Sequence, residues 1–372
     1  MQAILNQLVY FGYFQSLFLL FIYAVSPKNR KNINGYIAFL VFVLVIGLSG
    51  RILYISDIFG KNFRLIAFSE FSTLLFGSTI YLFTRSSLFN KRFSYQDLLH
   101  YIPGVFYILF VIFSFMLPSD EVIGERVKSG ELFRTITIFI GIGLLFNITY
   151  WAMSLQLFYT FRKKLRNELS YTIKTQFFLN FLVAIGICLL CWVIVYFISI
   201  LGYKTIERSA RETIWLSIAL IILFIAYYNM ITPDLFKTVT KVEHKKYVHS
   251  KLSKTDLDNL QDKLDQLMEE KKPYLNRKLL KAELADMLGV SSPEIARLLN
   301  ENIGMNFFEY INYYRIKEFV ELAKKDEAKN FTFFGLAQEA GFNSKTTFNK
   351  SFKKLMGISP KEYFSDLKIK NN

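Results

Sequence analysis

The chain has 372 residues, of which 52% are hydrophobic and 17% aromatic, with a mean hydropathy of +0.28 and a formal net charge of +15. That composition excludes an ordinary globular protein, and two cysteines, Cys188 and Cys191, allow no disulfide framework. The charge has two origins: residues 1–236 carry +9 and residues 237–372 carry +6. Basic loops between membrane helices orient them, whereas a basic soluble domain points to phosphates or anionic lipid.

Seven apolar stretches, at 6–25, 34–56, 63–83, 98–117, 133–158, 179–201 and 213–231, reach the roughly 20 residues a spanning helix needs. The first lacks a basic leader and is expected to be a retained helix rather than a cleaved signal peptide. An odd number of spans puts the termini on opposite sides. The loops after spans one, three and five hold eleven Lys and Arg, including Arg85, Arg162, Lys163, Lys164 and Arg166; the opposite loops hold six. The amino terminus is therefore expected outside the cytoplasmic membrane and the carboxyl terminus in the cytoplasm. The longest outer loop, 118–132, is too short to fold as a sensor domain.

Arg51 and Glu70 are full charges inside apolar spans on consecutive helices. Charges at such positions are costly, so this pair is the candidate intramembrane signal site, with a structural ion pair and a snorkelling Arg51 as the plainer reading. Gln15, Asn147 and Asn180 are expected to bond between helices. Cys188 and Cys191 form a C-x-x-C inside an apolar helix and read as packing residues; no metal or cofactor is expected. The spans carry no H-E-x-x-H or G-x-S-x-G pattern and no interrupted inverted repeat, which lowers an intramembrane enzyme or a transporter.

Residues 232–256 form a junction. Thr232-Pro233-Asp234 breaks the last span, and Lys237, Lys241, Lys245, Lys246, Lys251 and Lys254 follow. The cluster suits the anionic inner leaflet or simply enforces topology. His244 and His249 read as solvent-exposed.

From 257 onward the apolar period is helical, with Leu257, Leu260, Leu264 and Leu267 on one stripe. An internal repeat follows: LADMLGVSSPEIARLLNENIG (284–304) aligns with LAQEAGFNSKTTFNKSFKKLMG (336–357). Each copy reads as helix, glycine turn, helix, because glycine permits the left-handed turn between steeply crossing helices. Ser292 is expected to cap its helix ahead of Pro293, Ser344 to cap the second copy, and Ser359-Pro360-Lys361-Glu362 to form a capping box. On the second helix of copy two, Phe348, Phe352 and Leu355 are expected inward. Lys345, Thr346, Asn349, Lys350, Lys353 and Lys354 lie outside that stripe. A packed apolar side opposite a Lys/Asn/Thr side suits the major groove, with phosphates met by lysines and base edges by the amino-terminal turn.

These residues resemble the DNA-binding domain of the AraC family of bacterial transcription regulators. LAQEAGFNSKTTFNKSFKKLMGISPKEYF follows the family's I-A-x-x-x-G-F…F-x-x-x-F-K-K-x-x-G-x-(S/T)-P-x-x-Y signature, and FFEYINYYRIKEFVELAKK resembles the long connecting helix. The resemblance covers about 110 residues. It implies seven helices in two helix-turn-helix units entering successive major grooves, one turn or about 34 Å apart. It places Ser292, Glu294 and Arg297 of the first unit, Arg315 of the connecting helix, and Ser344, Lys345, Thr346, Asn349, Lys350, Lys353 and Lys354 of the second among the DNA contacts. The first unit departs from the pattern: it has Leu299-Asn300 for a basic or aromatic pair and carries Glu294 and Glu301. The second unit is therefore expected to supply most of the non-specific affinity.

The expected fold is all-α: a seven-helix transmembrane bundle (1–231), a basic linker (232–256) and an all-helical cytoplasmic domain with two helix-turn-helix units (257–372). The expected function is a membrane-embedded one-component transcription regulator, not an enzyme. Its expected partners are double-stranded DNA and membrane lipid, an unidentified signal ligand, a second copy in a homodimer, and RNA polymerase if it activates. Two rivals stay open: a membrane receptor or transporter whose terminal domain binds a protein, and an intramembrane enzyme built on Arg51 and Glu70.

Overall fold

The computed structural model describes residues 2–25, 35–58, 64, 67, 72–173, 175–202, 204–231 and 254–364. The described elements are all helical, and the β pairing among the described residues is one isolated bridge between Leu169 and Leu280. The chain divides into two compact units, 1–159 with 175–241, and 160–174 with 242–372.

The first unit contains helices α1 (Gln2–Val25), α2 (Gly35–Ser56), α3 (Thr73–Phe89), α4 (Tyr95–Met116) and α5 (Asp120–Lys128). It also holds most of α6 (Glu131–Glu168), then α7 (Gln176–Ile200) and α8 (Lys204–Ile231). Among the described residues, five helices are long and apolar enough to cross a membrane: Asn6–Val25, Gly35–Ser56, Tyr95–Met116, Glu131–Glu168 and Gln176–Ile200. A shorter apolar stretch, Ile214–Tyr228, lies in α8. The third expected span, 63–83, differs: the helix found is the 17-residue α3, running to Phe89. Arg85, expected in a loop, therefore lies on a helix. It pairs with Asp97, a buried carboxylate that also accepts from Tyr36 Oη at 2.6 Å and from the Ser94 N–H at 3.1 Å. Burial of that acid is tolerated because its acceptor sites are filled.

Asn147 bonds between helices as expected. It is 1% exposed and donates to the carbonyls of Thr73 and Gly143, while its Oδ1 accepts from the Gly77 N–H at 2.8 Å. A Cβ at position 77 would stand 2.7 Å from that oxygen, so only glycine admits the approach. Asn180 likewise reaches Tyr228 Oη at 3.2 Å. The expected outer loop 118–132 holds α5, whose Ile123 packs with Val111, Phe115 and Leu132. Arg51 is half-buried on α2; Glu70, its candidate partner, and the junction residues 232–253 lie outside the described residues.

The second unit contains α9 (Lys254–Glu270), α10 (Lys281–Leu288), α11 (Ser292–Arg297), which continues through a wider turn Leu298–Ile303, and α12 (Phe307–Ala323). Then come α13 (Phe333–Glu339), α14 (Lys345–Met356) and α15 (Pro360–Tyr363). The α9 stripe Leu257, Leu260, Leu264 and Leu267 is buried as its spacing predicts. It joins Tyr274, Leu284, Ile295, Leu298 and Leu299 in one core. A second core gathers Leu336, Phe342, Phe348, Phe352 and Phe364. Helix α12 serves both: Phe307, Tyr310 and Ile311 enter the first, Ile316, Phe319 and Ala323 the second. Arg315 sits at the changeover. Residues 160–174, expected as a loop of the membrane half, group with this unit.

Candidate nucleic-acid interface

Ser344 starts α14 as its sequence predicts, its Oγ accepting from the Thr347 N–H at 3.4 Å. Phe348 and Phe352 are 1% and 0% exposed and anchor the helix against Phe319 of α12. Lys345, Thr346, Asn349, Lys350, Lys353 and Lys354 are all exposed. Four cations on twelve residues with no acid give this face a positive potential and donors of the kind that meet phosphate oxygens. Leu355 departs from expectation: it is 40% exposed rather than inward, because the core is already filled by the two phenylalanines.

Not every lysine on this face is equivalent. Lys354 makes an ion pair with Glu309 on α12. Burial pushes the Glu309 carboxyl up, but the Lys354 ammonium, the Asn306 N–H and the Arg166 charge outweigh it and hold it below the ordinary 4.5. Lys354 thus ties α14 to α12 as well as facing solvent.

The turn before α14 depends on Gly341, whose φ is +94°. A Cβ there would lie 2.4 Å from the Tyr274 carbonyl. The equivalent Gly289 between α10 and α11 has φ +68° in open space, so only the backbone angle calls for glycine. Gly304 and Gly357 end the two repeats with φ of +73° and +82°.

The first helix pair is the more acidic. Its helix α11 is capped by Ser291, one residue earlier than expected, with Pro293 in the first turn. Glu294 accepts from the Ser291 N–H at 2.7 Å and so serves its own helix start. Ser292 is half-buried, and Arg297 donates to Glu301 at 2.8 Å on the same face. Leu299 is core, while Asn300 is exposed and donates to the Ala296 carbonyl. The Ser359-to-Glu362 capping box forms at α15 as read from the sequence.

Arg315 is the correction with most consequence. The family resemblance places it with the DNA contacts, yet it is 1% exposed. Its guanidinium donates five hydrogen bonds: to the carbonyls of Tyr274, Ser170 and Asn276 at 2.7 Å each, to Ser170 Oγ at 3.1 Å and to Asn312 Oδ1 at 3.3 Å. Burial pulls its pKa down to about 9, so the group stays charged at neutral pH. It is an internal brace, not a surface contact. Spacing along α12 put it on a helix; no local signal told which side was covered.

The described residues of the candidate interface hold no cluster suited to a metal ion. Residues 284–366 match a helix-turn-helix domain family. The chain is similar to the transcriptional regulatory protein HptR of Staphylococcus aureus, 23% identical over 135 residues, or 36% of this chain and 46% of that protein. It is also similar to an uncharacterized response regulatory protein of Staphylococcus epidermidis, 26% identical over 112 residues, or 30% of this chain and 42% of that one. The chain thus spans less than half the length of these curated relatives. No solved structure matches it. A helix-turn-helix domain of the transcription-regulator type therefore stands at the carboxyl-terminal end of a chain with several membrane-length apolar helices.

Proposed function

We propose that this protein is a membrane-embedded transcription regulator that binds double-stranded DNA through two helix-turn-helix units, α10–α11 and α13–α14. The observation that carries the reading is α14: a helix inside the matched region with Phe348 and Phe352 in the core and Lys345, Thr346, Asn349, Lys350 and Lys353 on its exposed side. In this reading Asn349 and Thr346 meet base edges and the lysines meet phosphates. The first unit adds register through Arg297 and Ser292, with its acids limiting affinity.

The apolar helices hold this reader at the cytoplasmic face of the inner membrane, with the amino terminus outside, as the distribution of Lys and Arg favours. Arg51 and Glu70 are the candidate signal site within them. A signal ligand acts only through a difference in affinity for two states of the helices. A second copy and RNA polymerase are the further partners of a regulator of this kind.

The test is duplex binding by the full chain in lipid nanodiscs. We expect affinity for duplex DNA that falls steeply with salt, as phosphate contacts require. Absence of duplex binding at low salt would overturn the reading and favour a receptor whose terminal domain binds a protein.

A further inference from the structure

The five residues Glu168–Thr172, at and just beyond the end of the membrane-length helix α6, group with the carboxyl-terminal unit. Glu168 Oε1 accepts from Lys281 Nζ at 2.8 Å, and that lysine is only 5% exposed. Leu169, buried, bridges Leu280, and the Ser170 N–H donates to the Leu279 carbonyl at 3.2 Å. Ser170, 0% exposed, offers both its carbonyl and its hydroxyl to Arg315. Thr172 Oγ1 lies 2.9 Å from Thr347 Oγ1 in the first turn of α14. The segment thus touches the start of α10, the changeover point of α12 and the base-reading helix.

This is more than surface packing. Arg315 shares no ion pair among its five bonds; its charge is stabilised by carbonyls, and Ser170 supplies two of the five acceptors. A buried charge keeps its place only while its donors are matched. The other acceptors come from Tyr274 and Asn276, ahead of the first helix pair, and from α12 itself. Arg315 therefore ties the two cores together only as tightly as Ser170 is seated. The lysines and Asn349 of α14 remain exposed with the segment in place, so docking braces the reader without covering it.

We infer that Glu168–Thr172 is a docking segment through which helix α6 sets the DNA affinity of the carboxyl-terminal unit, the docked state being the DNA-competent one. The inference rests on the proposed DNA-binding reading and adds its regulation. Movement of α6 along or about its axis pulls Ser170 from Arg315, loosens α12 between its two cores and frees Thr347 at the edge of the reading face. Coupling of this kind changes affinity typically by about 5- to 150-fold.

The test uses the full chain in nanodiscs and a duplex selected from a random pool by the wild-type protein. Lys281→Glu sets two carboxylates against each other and should weaken binding by about fivefold or more; adding Glu168→Lys, which restores the pair with its charges exchanged, should return wild-type affinity. In a chain with Cys188 and Cys191 changed to alanine, Thr172→Cys with Thr347→Cys should close a disulfide on mild oxidation, and the oxidised form should bind at least as tightly as the reduced one. Failure of the disulfide to form would show that the segment is not docked. Equal affinity in wild type and Lys281→Glu, with duplex still bound, would overturn the coupling and leave the DNA reading standing. Weakening that the charge exchange does not repair would mark a fold defect and overturn the coupling too. No duplex binding by any form would overturn both.

Discussion

Replacing Arg315 with leucine tests whether the second unit is held together at one buried fork. The change leaves the carbonyls of Tyr274 and Ser170 without their donor in the interior, and that of Asn276 in a partly buried setting. Each buried acceptor left unpaired costs about 1–3 kcal/mol. Counting the two buried carbonyls alone gives roughly 2–6 kcal/mol, partly offset because leucine no longer keeps a charge in the interior. We expect a net loss of about 3 kcal/mol, a large share of the roughly 5–15 kcal/mol that holds a typical domain. At about 1.4 kcal/mol per tenfold, amides of α12 and α14 should exchange about a hundredfold faster in native-state hydrogen exchange of the full chain. Arg315→Lys keeps the charge but loses the planar fork, so its effect should be intermediate. Protection of 307–323 and 345–356 unchanged in Arg315→Leu would refute the brace. A loss confined to DNA binding, with protection intact, would return Arg315 to the surface role the resemblance gave it.

Lys350→Ala should flatten the plot of log affinity against log salt by about 0.9 if the lysine neutralises one phosphate; Lys354→Ala should lower the protection of α14 as well, because it also releases Glu309. Asn349→Ala should change base preference at one position, read by selection from a random duplex pool. Gly341→Ala should cost several-fold more stability than Gly289→Ala in thermal unfolding: both glycines have positive φ, but only at 341 does the new Cβ meet a carbonyl at 2.4 Å. Acid should loosen α12 from α14. The folded pKa of Glu309 is depressed, so its contribution is complete above about 4.5 and is lost as pH falls through the lower folded value. Glu309→Gln should remove that acid limb from the exchange of α14, and an unchanged limb would exclude Glu309 as its source.

The amino-acid sequence by itself determined the features that arise between near neighbours. Apolar runs of membrane length became helices 6–25, 35–56 and 176–200. The leucines at 257, 260, 264 and 267 share a face because the helix turns every 3.6 residues, and all four are buried. The glycine turns and the capping serines at 344 and 359 follow from backbone angles and bonds reaching three residues. The exposed, lysine-bearing face of α14 was visible because core and lysine positions alternate at helical spacing. Tertiary structure alone decided what meets across the chain. Arg85 reads as a topology charge until Asp97 is seen beside it. Ser291 rather than Ser292 caps α11, since two adjacent serines offer the same chemistry and packing chooses between them. Leu355 is apolar and well spaced, yet the core was already full. Arg315 and Ser170 lie 145 positions apart, and no period or composition links them. A buried guanidinium takes its partners from whichever carbonyls the fold delivers, and here the fold delivered one from the end of a membrane-length helix.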